Sequence, residues 1–265
     1  MTTVLERPIA GFGAQLRHWR GIRRHSQLSL SLLAEISARH LSFLESGRAK
    51  PSRDMVLRLA EALEMPKEAA NQALSAAGFA PAFPALDADA PALAPVRRAV
   101  DMMLERHNPY PAIAIDRQWN VRGANMAAMH LFAHAPPPPN GSLNLVDSLI
   151  ASAGLDLVAN WAEVARMTIA RLRSEIIALG GDAALSDRAA ALETALERHG
   201  GPDDGVDYSR AVIPTVFTLA GQTLTLFSTI ASFSTVQDVV ASDIRVELMF
   251  PEDDATKEYF DAVSG

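Results

Sequence analysis

The sequence predicts a mixed fold: an N-terminal all-α domain of five short helices, followed by an α+β domain with about five antiparallel strands. Between Phe12 and Phe79, apolar residues recur at helical spacing with short interruptions. Four prolines and several alanines then fill the segment 80–95. Beyond it, several stretches alternate between apolar and polar residues, as half-buried strands do. These observations predict domains at 1–79 and 96–265, joined by a Pro/Ala-rich linker at 80–95.

The length and composition fit two folded domains without disulfide bonds. The chain has 265 residues, of which 49% are hydrophobic, enough for two domains of about 100–200 residues each. It has no cysteine, which excludes disulfides, cysteine-ligated zinc, iron–sulfur clusters and a cysteine nucleophile. The sequence opens without a signal pattern and contains no apolar run long enough to span a bilayer. We therefore expect a cytoplasmic protein with no membrane partner.

Five helices are expected in the first domain. Each of five segments carries an apolar stripe, and the joints between them are short. Gly78 marks the end of the fifth helix. The segments are FGAQLRHWRGIRR, SQLSLSLLAEI, SARHLSFLES, SRDMVLRLAEALE and KEAANQALSAAG.

After a helix at VRRAVDMMLERH, the second domain is expected to begin with two strands and to close with three. AIAID and WNVRGA form a hairpin, whereas RAVIPTVFTLAG, QTLTLFSTIAS and DIRVELMFP lie near the C-terminus. In the last strand, Ile244, Val246 and Leu248 share one face. Arg245 and Glu247 point to the other face. The helices predicted between the two groups of strands are NMAAMHLFAHA, LNLVDSLIASAG, 157–179 and 184–200.

Positive charge is concentrated at the N-terminal end of an acidic chain. Residues 1–58 contain ten Arg or Lys against four Asp or Glu, a net charge of +6, whereas the whole chain carries −7. A basic N-terminal segment, residues 1–58 (the head), on an otherwise acidic chain provides the local positive charge that attracts nucleic-acid phosphates. Within the head, Arg20, Arg23 and Arg24 form a cluster that is either a phosphate contact or an ordinary solvated face.

The segment 26–52 has the pattern of two short helices joined by a tight turn. Leucines and an isoleucine at helical spacing supply a common apolar face, and Ser26 and Ser37 are placed to cap the two helices. With that face buried, the second helix presents its other side to solvent. Ser37, at the start of this helix, is expected to lie next to DNA. The side chains that would reach base edges in the major groove are Ala38, Arg39, His40 and Ser42.

Four further side chains suit contact with DNA phosphates. Gln27, at the start of the first helix, is placed both to hydrogen-bond a phosphate and to buttress the second helix. Arg48, Lys50 and Arg53 lie in the following loop and at the start of the next helix. Because a single domain of this size reads few bases, we expect a homodimer on an inverted-repeat site in double-stranded DNA. No heptad run is evident, so the C-terminal domain is the expected dimer interface.

This segment resembles the XRE/Cro-type helix-turn-helix family, which implies a sequence-specific transcriptional regulator. The shared positions are Ser26, Gln27, Ser37, Leu41, Ser42, Leu44, Glu45, Gly47 and Pro51. One departure is Glu35, which stands in the turn where the family often has glycine. Glu35 must therefore either tolerate a strained backbone or sit in a slightly different turn.

The second domain resembles the ligand-binding domain of MmyB-like regulators. The resemblance is carried by PAIAIDRQWNVRGANMAAMHLF, NLVDSL, NWAEVARMTIARLRSE and STIASFSTVQDVVASDIRVELMFPEDDATKEYF. It implies a PAS-like fold and a small, largely apolar ligand such as a fatty acid or acyl derivative. The matching positions are Trp119, Asn125, Asn144, Trp161, Arg166 and Arg173, and Phe217 is a further candidate for an apolar pocket wall.

Each ligand candidate also has an ordinary structural role open to it. Trp119 suits a pocket wall, but tryptophans are most often plain core. Asn125 and Asn144 could donate hydrogen bonds to a ligand, or Asn125 could cap a helix. Arg166 and Arg173 share a helical face and could pair either with a ligand carboxylate or with acidic side chains of the chain itself.

The sequence carries no recognisable motif of an enzyme. It lacks a P-loop, a dinucleotide fingerprint, H-E-x-x-H and G-x-S-x-G. His130 and His134 are four residues apart on a predicted helix, but no acidic third ligand stands nearby in sequence. We therefore expect no catalysis, no cofactor and no metal site.

Three functional hypotheses follow from these observations. The first is a ligand-responsive DNA-binding regulator. The second is a regulator whose C-terminal domain only dimerises or binds a protein partner, and it predicts a filled core in that domain. The third is an enzyme with a DNA-binding appendage, which predicts a polar cleft with perturbed titratable groups.

Overall fold

The chain divides into two compact units, each with its own core. The first contains residues 1–85, 174–183 and 237–239, and the second contains 86–173, 184–236 and 240–265. The computed structural model describes residues 11–137, 141–200, 212–219, 221–233 and 236–263.

Five helices form most of the first unit, in the segments predicted from apolar spacing. Their bounds are α1 Phe12–Ile22, α2 Gln27–Leu33, α3 Ala38–Glu45, α4 Arg53–Ala62 and α5 Lys67–Ala76. All five contribute to one apolar core, in which Leu16, Leu30 and Leu41 are fully buried. Each of these helices is therefore held by a single face, and the opposite face of α3 is left to solvent.

The ends of α2 and α3 are capped as predicted. The Ser26 hydroxyl accepts a hydrogen bond from the backbone N–H of Ser29, and the Ser37 hydroxyl accepts one from His40. Each bond satisfies a backbone donor that the first turn of a helix leaves unpaired. Between the helices, Glu35 has φ of 53°, in the left-handed region. Glu35 thus takes the strained backbone that glycine would adopt freely.

The segment 174–183 packs into the first unit through a glycine. His18 donates a hydrogen bond from Nε2 to the carbonyl oxygen of Gly180 at 2.7 Å. Gly180 has φ of 80°, and a Cβ added there would overlap the indole ring of Trp19. Glycine is therefore required at this position for two reasons, backbone conformation and close approach.

The remaining helices are α6 Ala94–Arg106, α7 Met126–Phe132, α8 Leu145–Ala151, α9 Trp161–Leu179, α10 Ala183–His199, α11 Val239–Ser242 and α12 Asp254–Val263. The strands are β1 Ala112–Ile115, β2 Val121–Ala124, β3 Thr215–Leu219, β4 Gln222–Ser232 and β5 Arg245–Pro251. Among the described residues, no helix combines the length and the apolar character needed to cross a membrane.

The five strands form one antiparallel sheet in the order β2-β1-β5-β4-β3. β5 is central, pairing with β1 on one side and with β4 on the other. Both pairs of neighbours in sequence, β1 with β2 and β3 with β4, also pair in space. This arrangement, with helices packed on the sheet, is the α+β, PAS-like fold that was predicted.

Both faces of the sheet are covered by apolar residues. Val246 lies with Val100 and Leu104 of α6 in one cluster. Ile113 and Met249 belong to a second cluster, which also contains residues of α7 and α12. The alternation along β5 therefore separates its two sets of side chains as predicted, and the face that carries Arg245 and Glu247 is the interior face with the second cluster.

Several element boundaries differ from the prediction, two of them by four residues or more. α9 begins at Trp161 rather than at residue 157, because Val158 forms a β-bridge with Phe217 and the backbone N–H of Ala159 donates to Val216. A residue bonded to a strand in this way cannot also start a helix. The predicted strand that opens at Arg210 begins at Thr215, and residues 210 and 211 lie outside the described ranges.

Candidate DNA-binding surface and ligand cavity

The solvent-facing edge of α3 carries the side chains predicted to read DNA. Arg39 is exposed, and Ala38, His40 and Ser42 are half-exposed. Ser37 stands at the start of the helix as its cap. The leucines of the opposite face are buried in the core, so the helix cannot rotate this edge inward without exposing them.

Positively charged side chains follow the same edge along the chain. Arg48, Lys50 and Arg53 are all exposed. The guanidinium groups of Arg39 and Arg48 lie over the ring of Phe43, with Cζ 5.4 and 6.0 Å from its centre. Stacking of this kind restrains an arginine while leaving its N–H groups available. This role of Phe43 was not foreseen from the sequence.

A buried ion pair fixes α3 against its neighbours. The Glu45 side chain at the end of α3 is buried, and Arg20 of α1 donates hydrogen bonds to both of its carboxylate oxygens. The side-chain amide of Gln27 donates to the same carboxylate at 2.8 Å. Gln27 thus occupies the buttressing position considered for it, and Arg20 is a structural member of the basic cluster. Arg23, also in that cluster, donates from Nε to the carbonyl of Leu63.

Hydrogen bonds within this network favour the charged forms of Glu45 and Arg20. Burial alone would raise the pKa of the Glu45 carboxyl, but hydrogen bonds from Arg20 and Gln27 outweigh it and hold that pKa below its ordinary value. The hydrogen bond to Glu45 raises the pKa of the Arg20 guanidinium. Both groups are therefore charged at neutral pH, and α1, α2 and α3 share one electrostatic anchor.

The second unit contains a cavity of about 140 Å³. It lies between the interior face of the sheet and α7, α8 and α9. Its apolar walls include Leu131, Phe132, Leu149, Val164, Phe217 and Leu219. The volume is close to that of an engineered cavity of about 150 Å³ which accommodates benzene. An apolar pocket of this size suits a small hydrocarbon group.

Trp119 forms one wall of the cavity and has an unusual environment. It is buried, and its φ of 67° lies in the left-handed region. The guanidinium groups of Arg171 and Arg245 lie over its indole, with Cζ 4.2 and 5.6 Å from the ring centre. A bulky side chain is held in such a conformation only when its surroundings over-determine it, which is common where a protein binds a ligand.

Trp119 and Phe217 are the predicted ligand-binding residues that line the cavity. Asn125 caps α7, and its amide nitrogen donates to the carbonyls of Leu104 and Tyr110. Asn125 therefore has a structural role, because its side-chain amide donates to backbone carbonyls of the fold.

The other predicted ligand residues lie outside the cavity lining. Asn144 caps α8 through its side-chain oxygen. The indole nitrogen of Trp161 donates to the carbonyl of Leu149, and Arg173 forms an ion pair with Glu193 at 2.9 Å. Arg166 is half-exposed on α9.

Several lining residues escaped the sequence prediction because they come from four separate elements. Ser148 and Thr168 lie on α8 and α9, Thr215 on β3, and Glu247 on β5. Only Glu247 had a usable signal, since the alternation along its strand assigned it to the face shared with Arg245. His130, the first of the two spaced histidines, makes a hydrogen bond with the hydroxyl of Tyr259 at 2.8 Å. Within the described ranges, no group of three His, Cys, Asp or Glu is arranged to hold a metal ion.

Comparison with protein families assigns both units. A family model described as MmyB-like transcription regulator ligand binding domain matches residues 96–262, and one described as Helix-turn-helix domain matches residues 12–73. No curated protein matches the chain. The first match covers well over half of the sequence and contains the whole cavity lining, whereas the second contains α3 and its buttress. The chain therefore belongs to the family of transcription regulators with an MmyB-like ligand-binding domain, and it carries an N-terminal helix-turn-helix domain.

Proposed function

We propose that the chain is a cytoplasmic, sequence-specific regulator whose affinity for its DNA site changes when a small, largely apolar ligand of fatty-acid or acyl type occupies the cavity. The observation that carries the proposal is the exposed polar edge of α3 within a basic segment. An apolar cavity in the same chain supplies the second requirement, a place for an effector.

The DNA-binding half of the proposal rests on a helix that is both exposed and rigidly supported. Arg39 has the length and the paired N–H donors needed to bind a guanine edge in the major groove. Ala38, His40 and Ser42 lie beside it to contact neighbouring bases and methyl groups. The anchor between Glu45 and Arg20 holds α3 in place before DNA arrives, which reduces the entropy lost on binding.

The ligand-binding half rests on the cavity within the MmyB-like domain. An unfilled apolar cavity destabilises a fold, and a molecule that fills it stabilises the folded state that binds it. A regulator that only dimerises through this domain has no use for such a void, so the cavity favours the ligand-responsive hypothesis. An effector regulates DNA binding only if it prefers one of two conformations of the chain.

Two copies of the chain are required for a useful operator. One helix-turn-helix unit contacts few base pairs, so we propose a homodimer formed through the C-terminal domain. Its two α3 helices would read the halves of an inverted repeat whose centres are about one helical turn apart. This spacing brings both recognition helices to the same side of the duplex.

Fluorescence anisotropy of the full chain with two labelled duplexes tests the proposed function. One duplex carries the region upstream of the chain's own gene, because many regulators control their own promoters, and the other carries the same bases scrambled. We expect the first to bind at least about a thousandfold more tightly at physiological salt. Equal affinity for the two duplexes, and for further promoter fragments, would remove the claim of sequence specificity.

A further inference from the structure

The helix α9 belongs to both units of the chain. Its earlier turns lie in the second unit, and its last residues, from Ser174 onward, lie in the first. In the second unit, Val164 and Thr168 line the cavity, four residues apart on one face of the helix. One turn further on, the guanidinium of Arg171 lies over the indole of Trp119, which forms another wall. Successive turns of α9 therefore contact the cavity or its wall.

The other end of α9 is held by α1. The guanidinium of Arg23 donates hydrogen bonds to the carbonyl oxygens of Ile177 and Ala178, at 3.3 and 3.1 Å. His18 donates to the carbonyl oxygen of Gly180, which directly follows the helix. Carbonyls in the last turn of a helix have no partner within it and carry partial negative charge, so a cation beside them is favoured. α1 therefore caps the helix whose earlier turns line the cavity.

α1 also grips α3 by the end of its backbone. Arg17 donates from Nη2 to the carbonyl oxygen of Glu45 at 3.0 Å, and Arg20 forms an ion pair with the carboxylate of the same residue. A Cβ added to Gly13 would lie 2.6 Å from the carbonyl oxygen of Leu44, so the two helices meet with no side chain between them. A displacement of α1 must therefore move α3 or break these contacts.

The contact between α1 and the end of α9 can open at low cost. It is made by hydrogen bonds near the surface and by the close approach of Trp19 to Gly180. In the same turn, the side chain of Ile177 is 54% exposed. A segment with few buried apolar contacts opens locally for much less free energy than the whole fold requires. The end of α9 thus has two states available to it, docked on α1 and released.

We infer that occupancy of the cavity is transmitted to α3 along one route, from α9 through α1. This inference rests on the proposed ligand-responsive function and names its mechanism. An occupant packed against Val164 and Thr168 restrains α9, which favours the docked state of its end, and docked α9 holds α1 against α3. Because a restrained α3 loses less entropy on binding, occupancy raises the affinity for DNA. Arg23 is a positioning residue on this route and acts through α9 and α1.

Fluorescence anisotropy of the full chain, with and without a ligand, tests the route. The probe is hexanoate, a short acyl molecule, and the DNA is the duplex that the unsubstituted chain binds most tightly. We expect hexanoate to raise the DNA affinity at least about fivefold in the unsubstituted chain and less than about twofold in Arg23→Met, which keeps a long side chain and removes its donors. Arg24→Met is the matched control. It removes the same charge from the adjacent, exposed residue and should keep the full increase.

A second variant tests the route without any ligand. Ser148→Leu fills part of the same cavity from α8 and leaves the sequence of α9 unchanged. We expect it to raise the DNA affinity by itself, and we expect the double variant with Arg23→Met to lose that increase. If Arg23 had only a structural role, its replacement would lower the DNA affinity equally with and without hexanoate. The ratio of the two affinities therefore separates the roles, and melting temperatures show that each variant is folded.

The outcomes distinguish the inference from the proposed function. If hexanoate or Ser148→Leu raises the DNA affinity and Arg23→Met leaves that increase intact, the route is wrong while the chain remains ligand-responsive. A fall in DNA affinity when the cavity is filled overturns the inference in the same way. If neither hexanoate nor Ser148→Leu changes the DNA affinity of the chain, both the inference and the ligand-responsive half of the proposed function fail.

Discussion

Glu35 holds a left-handed backbone conformation in the turn between α2 and α3. For a residue with a Cβ, this conformation costs about 1–2 kcal/mol relative to the right-handed one. This strain lies in the turn that sets the angle between α2 and α3 of the helix-turn-helix motif. The strain therefore persists because the packed leucines on both sides over-determine the turn.

The substitution Glu35→Gly should stabilise the chain. Glycine relieves the strain, and although it also increases the entropy of the unfolded chain, we expect a net gain of about 1 kcal/mol in the free energy of unfolding. Glu35→Ala, which keeps a Cβ, is the control and should gain nothing. Urea denaturation of the three proteins measures the difference, and equal stabilities of the Gly and Ala variants would contradict the assignment of strain.

Glu45 should make the free energy of unfolding fall as the pH is lowered. Its pKa is lower in the folded chain than in the unfolded one, so its contribution is complete above the ordinary value of about 4.5 and is lost as the pH falls through the lower folded pKa. Glu45→Gln leaves Arg20 without its charged partner and should cost about 3 kcal/mol at neutral pH. Unfolding curves from pH 7 downward should show a smaller acid dependence in this variant. An identical acid dependence in both proteins would show that Glu45 is not the responsible group.

At the residue scale, helix caps could be predicted from the sequence, whereas most residues that line the cavity could not. The caps at Ser26 and Ser37 follow from side chains that bond backbone donors three residues away. The alternative role of Asn125 as a helix cap was recognised for the same reason. Arg173, in contrast, pairs with a glutamate twenty residues further along the chain, a contact that depends on how α9 meets α10.

The proposed DNA surface combines a base contact from Arg39 on α3 with a phosphate contact from Lys50 in the following loop, and we expect the two to respond differently to substitution. Arg39→Ala should remove a base contact and reduce the preference for the specific duplex over the scrambled one by at least about tenfold. Lys50→Ala should weaken both duplexes alike and lower the slope of log affinity against log salt by about 1. Arg106→Ala, which removes a positive charge from exposed α6, is the control. If Arg39→Ala and Lys50→Ala behave identically on both duplexes, the division into base and phosphate contacts is wrong.

The turn after α9 depends on one close contact. Gly180 and Gly181 both have positive φ, but only at Gly180 would a Cβ meet another group, the ring of Trp19. We expect Gly180→Ala to destabilise the chain by about 2 kcal/mol more than Gly181→Ala, because both variants strain the backbone and only the first overpacks. Thermal denaturation of the two variants checks this difference. Equal losses would mean that Gly180 is required for its backbone conformation alone.

At the element scale, periodicity predicted the helices and strands better than their ends. The alternation in β5 was visible because each of its faces meets a different apolar cluster. The start of α9 was missed because Val158 pairs with Phe217, nearly sixty residues away along the chain. Helical spacing extends through such a residue, and only the tertiary structure shows that a strand has taken its backbone groups.

The whole molecule separates its charges as the proposed function requires. The head, residues 1–58, carries +6, whereas the remaining residues carry −13. Under the proposed function, attraction to DNA phosphates would come from residues 1–58, and the acidic remainder would disfavour other modes of DNA binding. The sequence predicts a division into domains from the change in composition at the proline-rich segment. Most of the cavity lining could not be predicted, because it comes from elements that are distant in sequence.

Selection from a random duplex library with the full chain tests the central claim, that the outer edge of α3 reads DNA. We expect one enriched motif with two-fold symmetry, and half-sites whose centres lie about one helical turn apart. A library selected with Arg39→Ala should lose a base preference at one position in each half-site. Failure to enrich any motif, even in dilute salt where phosphate contacts are strongest, would contradict the account.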